Sequence, residues 1–448
     1  MEKSHSRATF GGRISAVLVT AGSAVGLGNI WRFPYVAGEN GGGAFLLVYA
    51  GCILLLGLPL MIAEFAIGKS TRCNAVGAYR RLAPRWSIIG YTGILTSTLI
   101  LGFYFVVAGW TAEYMLHSLT GEIAARGEAE SHRLLFERFI ADPWRPALYA
   151  AAFAVATQLV ISLGVRRGIE RAAKVMMPLL FLALLALAVH SILLPGGLEG
   201  LRFFLAPDFS KLTASSVLTA LGQAFFSLSI GLGTMITYAS YFTPSTDIRR
   251  TAWQVTAVDT LVALLAGLVI FPAVFSAGIE PDSGPSLVFI TLPTIFGTLP
   301  LGGLWSAIFF LLLVIAALTS TISLHEACTA YLHEEWRLPR RTAASCTTLV
   351  TVLLGILASL SFGVLNGWRI GSLTLFDALD HLTADLLLPL GGLMTCLFAG
   401  WHRHPKALYE TLYRDPRLGI GDRTLRFLLR YVCPAVMVLL FLDSLGIG

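Results

Sequence analysis

Residues 22–34 read GSAVGLGNIWRFP, and the stretch Gly22-Ser23-Ala24-Val25-Gly26-Leu27-Gly28-Asn29 falls mid-way along an otherwise apolar segment, 13–35. A plain membrane anchor has no use for three glycines, a hydroxyl and an amide at that depth. Glycine adopts backbone angles closed to other residues and leaves its peptide groups uncovered. Uncovered peptide groups at membrane depth must be buried in protein or line a cavity. The cluster therefore predicts a helix that breaks part-way across a membrane. Close packing through small residues is the other use for such a cluster, but Gly26 and Gly28 are too near each other for one packing face. A second cluster, Ser227-Leu228-Ser229-Ile230-Gly231-Leu232-Gly233, occupies the middle of segment 216–242.

The composition agrees with a chain that lives in lipid. Of 448 residues, 56% are hydrophobic and only 13% charged, against about 25% charged in soluble domains; mean hydropathy is +0.74. Apolar segments long enough to cross a bilayer fall at 13–35, 43–68, 87–117, 146–163, 173–195, 216–242, 252–277, 302–332, 343–363, 376–401 and 427–444. The two glycine clusters lie in the first and sixth, five apart. Five is odd, so a second set of five would be inverted relative to the first. Interrupted helices at matching places in two halves point to a transport site between them.

Charge gives the orientation. With the N-terminus inside, 24 of the 32 basic residues fall in inner connections: Lys3 to Arg13, Lys69 to Arg85, Arg166 to Lys174, Arg249 and Arg250, Arg337 to Arg341, and Arg403 to Arg430. Arg126, Arg133, Arg138, Arg145, Arg202, Lys211 and Arg369 fall outside, and Arg32 ends a helix. This asymmetry sets a cytoplasmic N-terminus in the cell membrane. It also accounts for the net charge of +6 through the anionic inner leaflet, with no nucleic acid needed. The polar start, MEKSHSRATF, and the long Gly-rich run after it do not suit a cleavable leader. The six cysteines form no CxxC pair, and most sit inside apolar runs, so neither a disulfide framework nor a zinc site is indicated. Glu64, His325 and Glu326 lie in or near the membrane without metal-ligand spacing or a nucleophile motif, so the chain is not expected to be an enzyme.

At GSAVGLGNIWRFP (22–34), NGGGAF (40–45), PLMIAEFAIG (59–68), GQAFFSLSIGLGTMITYASY (222–241) and AALTSTIS (316–323), the sequence resembles the neurotransmitter:sodium symporter family, in its bacterial, leucine-transporter-like branch. The resemblance implies an all-α polytopic membrane protein of about eleven transmembrane helices. Its fold would be a five-plus-five inverted repeat with broken first and sixth helices. Residues 1–448 would form one domain: a first repeat over 1–200, a second over 201–405, and a cytoplasmic loop and extra helix over 406–448. It further implies sodium-coupled import of a small neutral amino acid by alternating access, with two sodium sites. An amino-acid-binding sensor or a channel of the same fold is the alternative.

The resemblance assigns residues. One sodium site takes carbonyls of Gly22, Val25 and Ala316 with the hydroxyls of Thr319 and Ser320; hydroxyls in membrane helices otherwise bond back to their own helix. The other takes the Ala24 carbonyl, Asn29, Ser227 and Asp259. A carboxylate within VTAVDTLVALLAG is costly unless it faces a partner inside the bundle; a place near the cytoplasmic end, reaching water or Arg249, is the alternative. The substrate carboxylate belongs near Gly28 and Tyr104, where the end of a half-helix offers free N–H groups. Its amino group belongs near Ala24, Phe226, Ser227 and Ser229. Its side chain belongs among Ser23, Ile100, Tyr104, Phe226, Leu232, Ser320 and Leu324. Relatives that carry amines have Asp where Gly26 stands, so glycine implies a substrate that brings its own carboxylate. The uncharged pocket implies an apolar or aromatic side chain. Arg32 with Asp380, or with Asp377, would form an outer gate, and Arg7 with Glu334 and Tyr241 an inner one. Phe10 stands where relatives often have Trp. Tyr49, Gln223 and Ser227 match an anion site of chloride-dependent relatives, but Asp259 and Ala263 replace the usual Asn and Ser, so chloride is not expected to be required.

Overall fold

The computed structural model describes residues 7–123, 125, 128–278, 287–402, 405–413 and 419–444. Lys3, Arg126, Arg403, Arg414 and Arg417 lie outside the described residues. Among the described residues the chain is helical, with no β-strand. Nine helices are long and apolar enough to cross a membrane: Gly43–Thr71, Pro84–Leu119, Arg145–Ser162, Val165–Ile192, Ile248–Ser276, Gly302–Glu335, Arg340–Leu360, Leu375–Trp401 and Ile420–Ser444. Two further crossings are broken. Arg13–Ala24 and Gly28–Glu39 meet at a bend of 52°. Ala214–Ser227 and Thr234–Ala239 are separated by six residues in turns. These correspond to the eleven apolar segments of the sequence, and the breaks fall on the two glycine clusters.

Among the described residues, five shorter helices fill the connections: Ala75–Leu82, Ala129–Ala141, Gly197–Leu205, Leu287–Thr298 and Lys406–Leu412. Their mixed polar sequence, or their shortness, hides them from a search for long apolar runs. The fifth span begins earlier than expected. Arg166, Arg167, Arg171 and Lys174 sit on its first turns instead of in a loop, because Gly164 at φ +87° turns the chain directly from the fourth span into it.

Helix starts follow local chemistry. Asp247 accepts the N–H groups of Arg249 and Arg250 at the head of the seventh span. Thr374 and Asp377 cap the tenth span reciprocally, two otherwise unmet donors answered at once. The third and eighth spans form the centre, with 78% and 72% of their apolar windows buried, whereas the eleventh has 28% and faces lipid.

Close approach depends on small residues. A Cβ added at Gly355 would stand 2.8 Å from the Gly102 carbonyl oxygen, so the third and ninth spans meet backbone to backbone. At Gly68 a Cβ would stand 2.9 Å from the Ala239 Cβ and closer still to the Ile236 carbonyl, where the second span meets the second half of the sixth. Neither neighbour is a flexible side chain that can recede. Overpacking of this kind costs roughly 1–3 kcal/mol. Gly68→Leu should therefore lower the midpoint of thermal unfolding in detergent by several degrees. An unchanged midpoint would show that the second span can shift away freely.

Candidate substrate and ion sites

The two breaks face each other, and peptide groups in both find side-chain partners. In the first break the Gly26 N–H donates to Asn29 Oδ1 at 3.1 Å, and the Leu27 N–H donates to the Tyr104 hydroxyl at 3.0 Å. The Gly28 carbonyl accepts from Gln223 Nε2 at 2.8 Å. In the sixth-span break Ser229, Gly231 and Gly233 all have positive φ, at 53°, 84° and 74°. For Ser229 that conformation is strained; its hydroxyl donates to the Ser23 carbonyl at 2.9 Å, joining one break to the other. The Gly231 N–H donates to Glu64 Oε1 at 2.8 Å, and the Leu232 carbonyl accepts from Ser97 Oγ at 3.0 Å.

Between the breaks lies a small cavity of about 30 Å³. Its walls include every side chain and backbone segment assigned to the substrate from the sequence: Ser23, Ala24, Gly28, Ile100, Tyr104, Phe226, Ser227, Ser229, Leu232, Ser320 and Leu324. Gly26, Ser323 and Leu388 complete it. Leu388 had no signal in the sequence, since an apolar residue at the Pro of a tenth span looks like any lipid-facing one. Above the cavity opens a vestibule of about 260 Å³ lined by Trp31, Arg32, Tyr35, Phe103, Trp110, Phe136, Phe289, Phe376, Asp377 and Asp380, among others. Gly28, Tyr104 and Phe226 belong to both chambers and form the partition.

Two groups of oxygen atoms flank the cavity. In the first, Asn29, Ser227 and Asp259 converge and are fully buried. Asn29 Nδ2 donates to Ser227 Oγ at 2.9 Å and to Asp259 Oδ1 at 2.8 Å. Ser227 Oγ donates to the two Asp259 oxygens at 2.9 and 3.0 Å, and Tyr49 donates to Ser227 Oγ at 3.1 Å. Asp259 is thus inside the bundle, and Arg249 pairs instead with Asp422. In the second group, Thr319 Oγ1 donates to the Ala316 carbonyl at 2.9 Å and to the Val25 carbonyl at 3.2 Å. Gly22 faces the same threonine, a Cβ there standing 3.7 Å from the Thr319 Cβ. Ser320 points elsewhere: it hydrogen-bonds Tyr104 and closes on Gly26 from the cavity side. The second group offers oxygen atoms only, and the first offers the Ser227 and Asp259 oxygens with the Asn29 amide, which here turns its Nδ2 to them and would present Oδ1 on rotation; oxygen ligands suit a hard cation such as sodium.

The side bearing the N-terminus is sealed. Arg7 pairs with Glu334 at 2.5 Å and lies over the Tyr241 ring at 4.7 Å. Phe10, 1% exposed, packs edge-on against Tyr238 and Tyr241 at 6.2 and 5.8 Å. Beneath it Tyr241 joins Glu326 and Arg340, two residues not assigned from the sequence. The Tyr241 hydroxyl donates to Glu326 Oε1 at 2.7 Å. Arg340 grips both Glu326 oxygens at 3.1 and 2.5 Å and donates to the Ile161 carbonyl at 3.0 Å. Glu326 looked like an isolated intramembrane acid; the arginine at the head of the next span was the available signal. On the opposite side Arg32 and Asp380 both line the vestibule without an ion pair within 4.0 Å, and Arg32 stacks over the Phe226 ring at 4.8 Å. Asp377 is occupied as a helix cap, while the Asp380 and Asp385 carboxylates both lie near the Arg32 guanidinium.

Over residues 7–132 and 140–446 the chain matches the model of the sodium:neurotransmitter symporter family. It is 39% identical over 438 residues to an uncharacterised sodium-dependent transporter of Bacillus subtilis, covering 97% of each chain. It is 31% identical over 444 residues to the sodium-dependent dopamine transporter of Bos taurus, covering 88% of this chain and 63% of that one. Its fold superposes on the crystal structure of MhsT in complex with L-phenylalanine with a TM-score of 0.90 and 42% identity, over 98% of this chain and 100% of that one.

Gly26 makes the sharpest local test. A Cβ there would run into Ser320 Oγ and stand 3.1 Å from the Tyr104 hydroxyl. Gly26→Ala must turn the Ser320 hydroxyl away from Tyr104 or push the break and the cavity wall apart, at a cost on the order of 1.4 kcal/mol, tenfold in affinity. Ligand binding should fall by about that factor, with the thermal midpoint lower by about 2–4 °C at most. Equal affinity in the variant would mean that the cavity does not close on Gly26.

Proposed function

The chain belongs to the sodium:neurotransmitter symporter family, and on that premise we propose that it imports a neutral amino acid with a hydrophobic or aromatic side chain. It is a sodium-dependent, multi-pass membrane symporter and not an enzyme. The observation that carries the substrate reading is the single cavity between the two breaks. It gathers all eleven assigned residues, contains no charged side chain, and has unwound backbone along two walls.

In the proposed pose the substrate carboxylate meets the Gly28 end of the break and Tyr104, whose hydroxyl already serves the Leu27 N–H. Carbonyls of Ala24, Phe226 and Ser227 and the Ser229 hydroxyl receive the ammonium group. Sodium is cargo at both oxygen groups: Asn29, Ser227 and Asp259 with the Ala24 carbonyl, and Thr319 and Ser320 with the carbonyls of Gly22, Val25 and Ala316. The Thr319 bonds to Val25 and Ala316 suit this, since an ion entering there would take over oxygens already drawn together. Ser320, turned to the cavity, would have to rotate to join them. Arg7, Glu334 and Tyr241 act as the inner gate, and Arg32 with Asp380 as the outer one. The repeat division at residues 200 and 405, the cytoplasmic N-terminus and the cell membrane as location belong to the same proposal.

Chloride has no place in this scheme. Asp259 accepts hydrogen bonds from Ser227 and Tyr49, the donors that would otherwise hold an anion, and Ala263 offers none. A fixed carboxylate supplies the negative charge and repels a second. Two unit charges 4 Å apart at an effective dielectric of about 20 interact by roughly 4 kcal/mol.

Uptake in sealed vesicles tests the whole reading. Radiolabelled hydrophobic amino acids should accumulate against their gradient with external sodium and not with potassium. Equal uptake in both would sink the coupling. Tyr104→Phe should weaken binding by about 1.5–3 kcal/mol, the worth of a charge-assisted hydrogen bond; a decarboxylated amine binding better than its parent amino acid would refute the substrate pose. Replacing chloride by gluconate should leave transport intact, and Asp259→Asn with Ala263→Ser should make it rise with chloride. Loss of transport in gluconate by the parent protein would show the charge-substitution argument to be wrong.

A further inference from the structure

On the outside of the bundle, away from the substrate path, a groove of about 240 Å³ runs between the second and seventh spans. The seventh span supplies Trp253, Thr256, Ala257, Thr260, Leu261 and Leu264, at the spacing of three and four residues that keeps side chains on one helix face. The second span supplies Ala50, Ile53 and Leu54. The alanines leave the hollow, and Trp253, Leu54 and Leu261, each about half exposed, stand at its rim. Both hydroxyls in the lining are turned to the protein. Thr260 Oγ1 donates to the Thr256 carbonyl at 2.9 Å, and Thr256 Oγ1 faces the Met61 sulfur at 3.8 Å. Apart from the Trp253 indole N–H, the groove offers hydrocarbon alone.

Its length and its mouth say what fits. From Trp253 to Leu264 a helix rises about 16 Å, close to half of a hydrocarbon core of about 30 Å. Trp253 lies near the head of Ile248–Ser276, so the groove occupies the leaflet on the side of the N-terminus, with an indole at its polar end, where tryptophan favours the interface. Charge stands at that end too. Arg250 lies one turn before Trp253 on the same face, is exposed, and has no ion-pair partner among the described residues. Asp247, a turn earlier, is taken up by the backbone N–H groups of Arg249 and Arg250, and the Arg249 side chain pairs with Asp422. Arg13 reaches the same end and donates to Gln254 Oε1 at 3.1 Å. We propose that the groove holds an acyl chain of an anionic phospholipid whose phosphate sits at Arg250 and Arg13. An apolar channel of one leaflet's depth with guanidinium groups at its mouth matches both ends of that molecule, whereas a sterol brings two cations a single neutral hydroxyl. Asp259 lies on the opposite, buried face of the same helix, so the lipid chain backs the wall that carries the first ion group.

Lipid competition on the full-length protein provides the test. The protein is reconstituted in nanodiscs of phosphatidylglycerol and phosphatidylcholine with identical acyl chains in equal amounts, released, and the lipid it retains is identified by native mass spectrometry. Phosphatidylglycerol should be retained over phosphatidylcholine by about fivefold or more, the worth of one basic residue at an anionic lipid surface. Arg250→Gln with Arg13→Gln should bring the ratio close to one. Ala257→Phe, which fills the hollow from a lipid-facing position, should remove the retained lipid while both arginines remain. A ratio near one in the parent protein overturns the proposal without any variant. A preference that survives the arginine substitutions overturns the headgroup contact, and undiminished retention in a folded Ala257→Phe protein places the lipid elsewhere and overturns the groove. A dimer of the parent protein that Ala257→Phe dissolves would show the groove covered by a second copy of the chain, which also overturns it. Should Ala257→Phe fail to fold, the parent ratio and the arginine variant still decide.

Discussion

A peptide group cannot be left bare inside a membrane. With no water at hand, an unmet N–H or C=O costs several kcal/mol, and this chain breaks two of its spans where that penalty applies. Much of the central structure answers the penalty. Asn29 meets the Gly26 N–H, Tyr104 the Leu27 N–H and Gln223 the Gly28 carbonyl. Glu64 reaches from the second span to Gly231, and Ser97 from the third to Leu232. Apart from Asn29, which lies in the first break itself, the side chains that make the breaks tolerable come from other spans. The same groups, gathered for the backbone's sake, are on the proposed reading the oxygens and donors that an ion and a zwitterion need. Structural necessity and function use one set of atoms here, which is why the third and eighth spans, carrying Tyr104 and Thr319, are also the most enclosed.

Charge is handled in the same way. Asp259 is buried completely, yet each of its carboxylate oxygens accepts from Ser227. Glu326 is equally buried and is gripped by Arg340 and Tyr241. A buried ion pair contributes little net stability against an apolar replacement but is expensive to break by removing one partner. Such pairs hold an arrangement in register more than they strengthen it. Arg7 and Glu334 form a second, largely buried pair alongside that of Glu326 and Arg340, at 13% and 24% side-chain exposure.

The sequence exposed the breaks because glycine and hydroxyl residues have no reason to cluster at mid-span; Gly26, Gly231 and Gly233 could be read directly. The substrate walls were legible only through likeness to a family, because Ile100, Phe226 and Leu324 are ordinary apolar residues in ordinary helices until their neighbours are known. Leu388 was invisible for the same reason. The Glu326–Arg340 pair was hidden differently: its members belong to successive spans, and their meeting depends on how tightly Arg337 at φ +56° turns the chain between them. The resemblance ranks Asp380 ahead of Asp377 as the acid facing Arg32, and the capping bonds to Thr374 show that the Asp377 carboxylate is committed to starting a helix.

The partition between cavity and vestibule consists of Gly28, Tyr104 and Phe226, each of which faces both chambers. Any drift in one of them alters two traits at once: what fits below and how readily the way above admits it. Ligand range and tightness of sealing are thus inherited together. A lineage of such proteins that widened its diet through these positions would have to recover its seal elsewhere, and Arg32, resting on the Phe226 ring, is the nearest residue through which that repair would act.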